Sequence, residues 1–472
     1  MTRTESELQS RLEAAGQPHL LRFEDELDAE ARARLREEVA GLDLELLRSL
    51  HEGTGPVVGG AAVPEDLEPP ALVGLDAADV RAEARAAGEE LIRAGRVAAF
   101  TVAGGQGTRL GWRGPKGTFP ATPVTGKPLF RLFAEQIRAA QQRYDVVIPW
   151  YIMTSPINDA DTRAFLLDNN CFGLERRHIM MFPQGVMPSV DDEGRVLLAA
   201  KDAVAVNPDG HGGSLRALRA SGALDDMRSR GVEQISYFQV DNPTVRVIDP
   251  VFLGLHASHP ESSGEMSSKV VRKTDPAEKV GVFARSGGRT MVVEYSDLPE
   301  DLAAAREPDG SLRYAGGSIA IHVMSVDFVE RLTSGEGDQL PFHRARKKVP
   351  HVDLETGEAV APAEPNATKY ELFVFDAIPL AERSLVVETD RVAEFAPIKN
   401  AEGSDSAATS HRLQSERAAR WLEARGVDVP RAADGSVDAE LEIGPLTAME
   451  PADLDEAMIA GLRIAPGASV VL

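Results

Sequence analysis

The sequence predicts an α/β protein whose core is a mostly parallel sheet with helices on both faces. Between about residues 97 and 240, short apolar segments alternate with helical patterns, and parallel sheets are built from such alternation. The first apolar segment, Val97–Ala103, runs directly into a loop with three glycines, Gly104, Gly105 and Gly107. Because ligands of open α/β sheets bind beyond the carboxyl ends of the strands, this loop is the expected centre of a binding site.

The glycine loop and the residues after it are typical of an anion site. Glycine lets backbone N–H groups approach phosphate oxygens with no Cβ in the way, so the three glycines are candidate nucleotide contacts. Arg109 and Lys116 follow, and residues 97–134 contain five basic residues and no acidic one, in a chain of net charge −23. The alternative is an ordinary glycine-rich turn with incidental basic neighbours.

The spacing of the glycines limits the class of ligand that the loop could bind. The dinucleotide fingerprint requires a glycine where Leu110 stands, and the Gly-Lys-Ser/Thr end of a P-loop does not occur in this stretch. A dehydrogenase is therefore a distant alternative. Ala103–Gly111, with Pro115 and Lys116 close behind, resembles the signature loop of nucleotidyltransferases that make nucleotide sugars, in which the loop holds the nucleoside triphosphate.

Composition limits the partners and the compartment. At 472 residues, two or three domains are expected, and the net charge of −23 argues against nucleic acid and anionic membranes as partners. The single cysteine, Cys171, excludes an intramolecular disulfide and fits a reducing compartment. The first residues are polar, and no apolar stretch is long enough to span a membrane. We therefore expect a cytoplasmic protein.

The predicted organisation has three parts. Residues 1–95 form a helical N-terminal region with a loop over 53–70 and a helix over 77–94. Residues 96–400 form the catalytic domain, and residues 401–472 form a small C-terminal region. Further predictions are a helix opened by Pro128, a helix over 212–230, a hairpin over 280–295 that turns at 286–288, a linker or mobile loop over 401–410 and a helix over 412–425.

Several residues outside the loop are candidates for chemistry. Asp241 ends the apolar strand over 234–240, where a carboxylate suits Mg²⁺, although a turn-forming aspartate is an equal alternative. Gln184 follows a strand and can contact both donor and acceptor edges of a base; a surface glutamine is the alternative. Asn207–Gly213 precedes a helix and offers a second anion or sugar site. Glu294 could accept sugar hydroxyls, and Lys399 could contact phosphate.

Blocks along most of the chain resemble the eukaryotic-type UDP-sugar pyrophosphorylases, most closely UDP-N-acetylglucosamine pyrophosphorylases. The matching blocks, in the same order, are Ala103–Gly111, Trp150–Ser155, Asn207–Gly213, Val240–Asn242, Glu278–Val282, Val292–Ser296, Leu340–Asp353, Phe373–Asp376 and Phe395–Asn400. The resemblance implies a Rossmann-like nucleotide-diphospho-sugar transferase core with a helical N-terminal extension and a small C-terminal domain.

The same resemblance implies roles for individual residues. The uridine would contact Gly104, Gly105, Gln184 and Gly210, with Gly107 in the nucleotide loop. The phosphates would contact Arg109, Lys116 and Lys399, and the metal would bind Asp241. The sugar would contact Gly281, Glu294, His211 and Ser318.

Two departures from the acetylglucosamine pattern lie on the sugar side. Gly316–Ile321 places Ser318 and Ile321 where those enzymes have asparagine, and His211 stands where animal and fungal enzymes have asparagine and UDP-glucose pyrophosphorylases have histidine. Both departures leave uridylyl transfer intact and concern the identity of the sugar.

The predicted function is therefore uridylyl transfer from UTP to a sugar 1-phosphate, which yields a UDP-sugar and pyrophosphate with Mg²⁺ as cofactor. N-acetylglucosamine 1-phosphate is the expected acceptor. The alternatives are a UDP-glucose or broad-specificity pyrophosphorylase and, from another class, a catalytically silent protein that binds sugar nucleotides. The complete set of Arg109, Lys116, Asp241 and Lys399 argues against the silent protein, because binding alone does not require contacts to the leaving group.

Overall fold

The chain forms two compact units, each made of three separate segments of sequence. The computed structural model describes residues 5–58, 63–335 and 340–472, so residues 59–62 of the predicted 53–70 loop lie outside the described part. The first unit comprises the described parts of Met1–Ala62, Gln184–Arg216 and Gly337–Asp376. The second comprises those of Val63–Pro183, Ala217–Glu336 and Ala377–Leu472. The functional boundaries at 95 and 400 stay predictions.

A ten-stranded mixed sheet forms the centre of the second unit. The strands are β1 Leu72–Val73, β2 Val97–Val102, β3 Trp150–Thr154, β4 Ile179–Pro183, β5 Gln234–Gln239, β6 Met266–Arg272, β7 Val282–Ser286, β8 Arg289–Val293, β9 Gly316–Ser325 and β10 Val386–Glu388. They run in the order β1-β10-β6-β9-β5-β2-β3-β4, and β7 pairs with both β8 and β9. Pairing among β5, β2, β3 and β4 and among β6, β10 and β1 is parallel, whereas β7, β8 and β9 pair antiparallel with their neighbours.

Helices and buried aromatic side chains complete this unit. Phe133 and Phe238 meet edge to face with centroids 5.1 Å apart in the apolar core, which also includes Trp150. The α-helices that lie wholly in this unit are α1 Ala78–Arg93, α2 Leu129–Tyr144, α3 Asp159–Asp168, α4 Ala223–Ser229, α5 Pro250–Ser258, α6 Glu300–Ala303, α7 Val326–Thr333, α8 Arg391–Glu394, α9 Ala407–Ala424 and α10 Glu456–Ile459. The predicted mixed, mostly parallel α/β fold and the helix after Pro128 are confirmed.

Three local predictions need correction. The helix predicted over 212–230 is two helices, Gly213–Ala220 and α4, because Gly222 adopts the left-handed conformation at φ 76° and ends the first helix. The helix predicted over 412–425 begins at Ala407, where the Ser406 and Thr409 side chains form a capping box. Only 401–405 of the predicted linker is therefore loop. Glu294 follows β8 instead of lying inside it.

The first unit joins the N-terminal helices to residues 184–208. Helices Glu5–Ala14, Ala29–Gly41 and Leu44–Glu52 confirm the helical character of this region. The Gln17 side chain donates to Gly194 O at 2.9 Å and accepts from Val196 N at 2.9 Å. The strands are Val57–Val58, Phe342–Lys347 and Ala367–Leu372 in one sheet, and the pairs Val186–Pro188 with Val206–Pro208, Leu198–Ala200 with Ala203–Val204, and His351–Val352 with Ala359–Val360.

The end of the chain, within the second unit, has a small core of its own. Strands Ala439–Glu442 and Ala468–Val471 pair in parallel, and Leu422, Leu441 and Leu454 are buried together. This core lies inside the predicted small C-terminal region, whose boundary stays a prediction. Within the described ranges, no helix combines the length and apolar character needed to cross a membrane.

Candidate active site

The glycine loop after β2 is held by its own backbone and by one buried side chain. Gly107 N donates to Gly114 O at 3.0 Å, and Lys116 N donates to Gly105 O at 3.1 Å, so the loop folds back on itself. Asn158, which the sequence analysis did not identify, donates from Nδ2 to Ala103 O at 3.0 Å. These bonds fix the loop at the carboxyl end of a central parallel strand, where ligands of such sheets bind.

Four charged side chains meet beside this loop, and all four were predicted. Lys116 lies close enough to Asp241, Arg109 and Lys399 for all three to act on its pKa. Burial lowers the pKa of Lys116; Asp241 opposes this shift, while the positive charges of Arg109 and Lys399 add to it. Three cations and one carboxylate therefore share one region, and an anionic ligand would relieve their mutual repulsion.

A direct backbone bond joins the segments that carry two of these side chains. Ile398 N donates to Asp241 O at 2.8 Å, so the end of β5 and the residue before Lys399 are paired. The Lys399 ammonium lies 3.6 Å from Asp405 and 5.7 Å from the Phe395 ring centroid. Asp405, which was not identified from the sequence, is thus the carboxylate that pairs with Lys399.

The donor set fits a magnesium ion shared with a nucleotide. Asp241 is 9% exposed at the end of β5. Among the described residues, no group of three or more histidine, cysteine, aspartate or glutamate side chains could hold a metal. Mg²⁺ commonly takes one or two carboxylates and completes its coordination with phosphate oxygens and water. One carboxylate among three cations suits that mode of binding and does not suit an all-protein metal site.

Three predicted sugar-side residues lie together in the second unit. Ser318 N donates to Gly281 O at 2.8 Å. A Cβ on Gly281 would lie 2.8 Å from Val292 Cγ1 and 3.2 Å from Glu294 Oε1, so a larger residue at position 281 would force these side chains to shift. By contrast, Ile321 is 3% exposed and belongs to the apolar core. Of the two departures on β9, only Ser318 lies outside that core.

The first unit holds Gln184 and Gly210 next to a buried carboxylate. Gln184 Nε2 donates to Asp209 Oδ1 at 3.5 Å. Burial raises the pKa of Asp209 to about 6, although Arg216 and the Gln184 amide act in the opposite direction. Gly210 has φ 85°, and a Cβ there would lie 2.4 Å from Leu372 O, so this position requires glycine. Sequence analysis did not single out Asp209.

His211 lies in an aromatic cluster of the same unit. Its ring stacks on Phe373 with centroids 5.2 Å apart, and its Nδ1 accepts from Val374 N at 3.1 Å. Burial lowers its pKa to about 4, and the charge of His343 contributes. The neutral ring therefore carries its proton on Nε2, which is a hydrogen-bond donor. His343 itself contacts Asp376 at 2.7 Å.

A Rossmann-like sheet with a glycine loop and strand-end charges defines a nucleotidyltransferase. The family model for UTP–glucose-1-phosphate uridylyltransferase matches residues 68–419, and the chain belongs to this family of uridylyltransferases. A human UDP-N-acetylhexosamine pyrophosphorylase-like protein 1 is 38% identical over 94% of this chain and 92% of its own. The Saccharomyces cerevisiae UDP-N-acetylglucosamine pyrophosphorylase is 38% identical over 72% and 73%, respectively.

Solved structures agree on the fold. The UDP-N-acetylglucosamine pyrophosphorylase of Trypanosoma brucei, solved with an inhibitor, superimposes with a TM-score of 0.80 at 26% identity, over 97% of this chain and 95% of that one. The UDP-glucose pyrophosphorylase of Leishmania major, at 18% identity and a TM-score of 0.60 over 88% and 85%, shares the fold. The predicted nucleotide-diphospho-sugar transferase fold and the predicted family are confirmed.

Proposed function

We propose that this uridylyltransferase makes UDP-N-acetylglucosamine and pyrophosphate from UTP and N-acetylglucosamine 1-phosphate. The observation that carries the proposal is the grouping of Arg109, Lys116 and Lys399 with Asp241 beside the glycine loop. A reaction that joins one phosphate to a triphosphate needs this concentration of positive charge. The names of the human and yeast relatives support N-acetylated sugars as the substrate class.

The reaction needs no covalent intermediate. An oxygen of the sugar phosphate attacks the α-phosphorus of UTP, a new P–O bond forms, and the bond to the β-phosphate oxygen breaks to release pyrophosphate. The protein contributes positioning and charge neutralisation. Arg109 would offset charge on the departing pyrophosphate, Lys116 would contact the α-phosphate, and Lys399 would orient the attacking phosphate after leaving Asp405.

The remaining roles follow the family resemblance residue by residue. We assign the nucleotide to Gly104, Gly105, Gly107, Gln184 and Gly210, and the sugar to His211, Gly281, Glu294 and Ser318. For His211, the donor at Nε2 supports a hydrogen bond to a sugar oxygen. For Glu294, the closeness of its carboxylate to Gly281, another proposed sugar contact, supports a role in accepting hydrogen bonds from sugar hydroxyls.

Mg²⁺ is the proposed cofactor, and Asp241 is the residue that would hold it together with phosphate oxygens. When bound, the ion would neutralise charge on the triphosphate and the departing pyrophosphate. Asp241→Asn removes the carboxylate charge at almost constant shape. We expect turnover to fall by about 10²-fold or more, the scale of losing a preorganised charge contact.

A broader sugar specificity is the second candidate, and Ser318 favours it. A serine hydroxyl is shorter than an asparagine amide, and its single oxygen cannot reach both the N–H and the C=O of an acetamido group as the separate O and N atoms of an amide can. We expect glucose 1-phosphate and galactose 1-phosphate to be disfavoured by only about 1–3 kcal/mol relative to N-acetylglucosamine 1-phosphate. A silent binding protein is the third candidate, and the cluster of cations argues against it.

Pyrophosphate release from UTP, measured with each of these sugar 1-phosphates at fixed Mg²⁺, tests the proposal. Release with N-acetylglucosamine 1-phosphate is expected, and binding of the UDP-sugar without any release would support the silent protein instead. Asp226→Asn is the matched control for Asp241→Asn. Asp226 accepts from Tyr151 at 2.6 Å and from Arg230 at 2.8 Å and has no part in the proposed site. Equal losses in the two variants would contradict the metal assignment.

A further inference from the structure

Lys269 on β6 forms a fully buried ion triad that the proposed reaction does not use. Its Nζ lies 2.5 Å from Glu394 Oε1 and 2.7 Å from Asp249 Oδ2, and the side chains are 2%, 2% and 8% exposed, respectively. Burying ion pairs costs desolvation energy, and well-packed apolar replacements are often as stable or more so. Stability alone therefore does not explain this triad.

Glu394 is bonded to the chain that follows Asp241. Its Oε1 accepts from Arg246 N at 3.2 Å, and its backbone oxygen accepts from Asn242 Nδ2 at 2.7 Å. Its Oε2 accepts from Thr389 Oγ1 at 2.5 Å. The carboxylate is thus held by three donors, Lys269 Nζ, Arg246 N and Thr389 Oγ1. Glu394 connects the turn after β5 to the start of the segment that leads to Lys399.

Two further bonds continue this connection toward Lys399. Asn242 Oδ1 accepts from Ala396 N at 3.1 Å, and Ile398 N donates to Asp241 O at 2.8 Å. Residues 241–246 and 394–398 are therefore joined by hydrogen bonds at successive points, and we call this pair of segments the ladder. One segment carries the proposed metal ligand, and the other carries the proposed contact to the attacking phosphate.

We propose that Lys269 and Glu394 are positioning residues that fix the spacing between the Asp241 carboxylate and the Lys399 ammonium. The proposal rests on the roles given above to Asp241 and Lys399. Both groups must contact phosphates of the same reacting pair, and a misplacement of about 1 Å can cost as much as 10²-fold in rate. In this proposal the buried triad keeps the hydrogen bonds of the ladder in one register and does not contact the substrates.

Glu394→Ala and Glu394→Gln test the proposal as a pair. Glu394→Ala removes the acceptor of Arg246 N, while Lys269 keeps Asp249 as its ion-pair partner. Glu394 also offsets the positive charges of the partly buried Arg246 and Arg417, so the melting temperature of each variant is measured together with kcat. Glu394→Gln keeps an acceptor oxygen of the same reach. We expect Glu394→Ala to lower kcat more than about tenfold and Glu394→Gln to restore it to within about threefold of wild type.

A second readout is metal affinity measured without turnover. Free Mn²⁺ is followed by electron paramagnetic resonance in the presence of UTP and without sugar phosphate. We expect Glu394→Ala to raise the Mn²⁺ dissociation constant by about fivefold or more, because Asp241 loses its fixed position. Glu135→Ala is the matched control: its side chain is 3% exposed, and it pairs with Lys127 and Arg131, both at 2.8 Å.

The outcomes separate this inference from the proposed function. If Glu394→Ala and Glu135→Ala lower the melting temperature by the same amount and have the same effect on kcat and on Mn²⁺ affinity, the triad is only structural and the proposal is wrong. If Glu394→Ala does not fold, Asn242→Ala, which breaks the bonds to residues 394 and 396 and leaves the triad intact, must show the same losses. If Asp241→Asn does not change Mn²⁺ affinity, the metal assignment fails, and the positioning role fails with it.

Discussion

Asp209 gives a prediction in which the direction and the size of a pH effect can both be derived. Its side chain is buried at 6% exposure, and burial raises its pKa from 3.8 to about 6. In the unfolded chain, the carboxyl loses its proton near pH 4, whereas in the folded protein it keeps the proton until about pH 6. The folded state therefore binds more protons between these values, so stability falls as the pH rises through this window and is constant above it.

Asp209→Asn removes this effect because an amide stays neutral and keeps an acceptor for Gln184. The difference between a pKa of about 6 and the ordinary 3.8 corresponds to about 3 kcal/mol at most. Near pH 4, little of this loss of folding free energy is present, whereas above about pH 6.5 the full loss is present. An unfolding entropy of about 2.1 cal/mol/K per residue gives about 1 kcal/mol/K for 472 residues, so each kcal/mol shifts the melting temperature by about 1 °C. The melting temperature of the variant should therefore gain about 3 °C at most on wild type across the window.

Differential scanning calorimetry at equal scan rates, at half-unit steps from pH 4.5 to 7.5, measures this gain. Asp226→Asn is the control, because hydrogen bonds from Arg230 and Tyr151 outweigh the effect of burial and lower the Asp226 pKa. Asp226 stays ionised throughout this range, so its variant should be less stable by a nearly constant amount. A difference between Asp209→Asn and wild type that does not change with pH would refute the argument from burial.

Three further predictions concern the proposed site. Arg109→Ala should lower kcat/KM for UTP at least tenfold, the effect of losing a charge-assisted contact worth about 1.5–3 kcal/mol. Lys399→Ala should instead raise KM for the sugar phosphate more than KM for UTP. Equal changes of the same kinetic parameter in both variants would contradict this division of roles. Ser318→Asn should increase the preference for N-acetylglucosamine 1-phosphate over glucose 1-phosphate, and an unchanged ratio in competition assays would contradict it. Gly117→Ala should lower the free energy of unfolding by about 1–3 kcal/mol, since a Cβ there would lie 2.1 Å from the Phe130 ring; an unchanged melting temperature would show that the ring can move aside.

The features that the sequence predicted well are those with a local pattern. An apolar strand followed by glycines, and an aspartate at the end of a buried strand, need only a few consecutive residues to be recognised. The structure brings Arg109, Lys116, Asp241 and Lys399 together, as expected from strands whose carboxyl ends share one edge of the sheet. The roles of these residues in the reaction stay predictions.

The features that sequence analysis missed depend on contacts between distant parts of the chain. Asn158 supports the glycine loop from 55 residues away, and Lys269 meets Glu394 from 125 residues away. No periodicity or motif marks such pairs. The raised pKa of Asp209 has the same origin, because it depends on burial, which only the folded chain creates. The break at Gly222 is different: a Ser-Gly pair inside a helical pattern was a visible signal.

The proposed reaction chemistry and the proposed sugar contacts involve different residues, and this explains why one could be predicted more firmly than the other. The cations and the Asp241 carboxylate lie near one another in the second unit, where a backbone hydrogen bond joins the Asp241 segment to the Lys399 segment and others hold the glycine loop. The proposed sugar contacts are instead single residues, and one of them, Ser318, lies on β9. There Ala320 has φ 52°, and the pairing with β6 shifts between Ser268 and Val270. A bulge re-aims neighbouring side chains, and Ile321 turns into the core beside it. A residue aligned with an asparagine therefore need not face the sugar, and of the two aligned positions on β9 only Ser318 stays a candidate for a sugar contact.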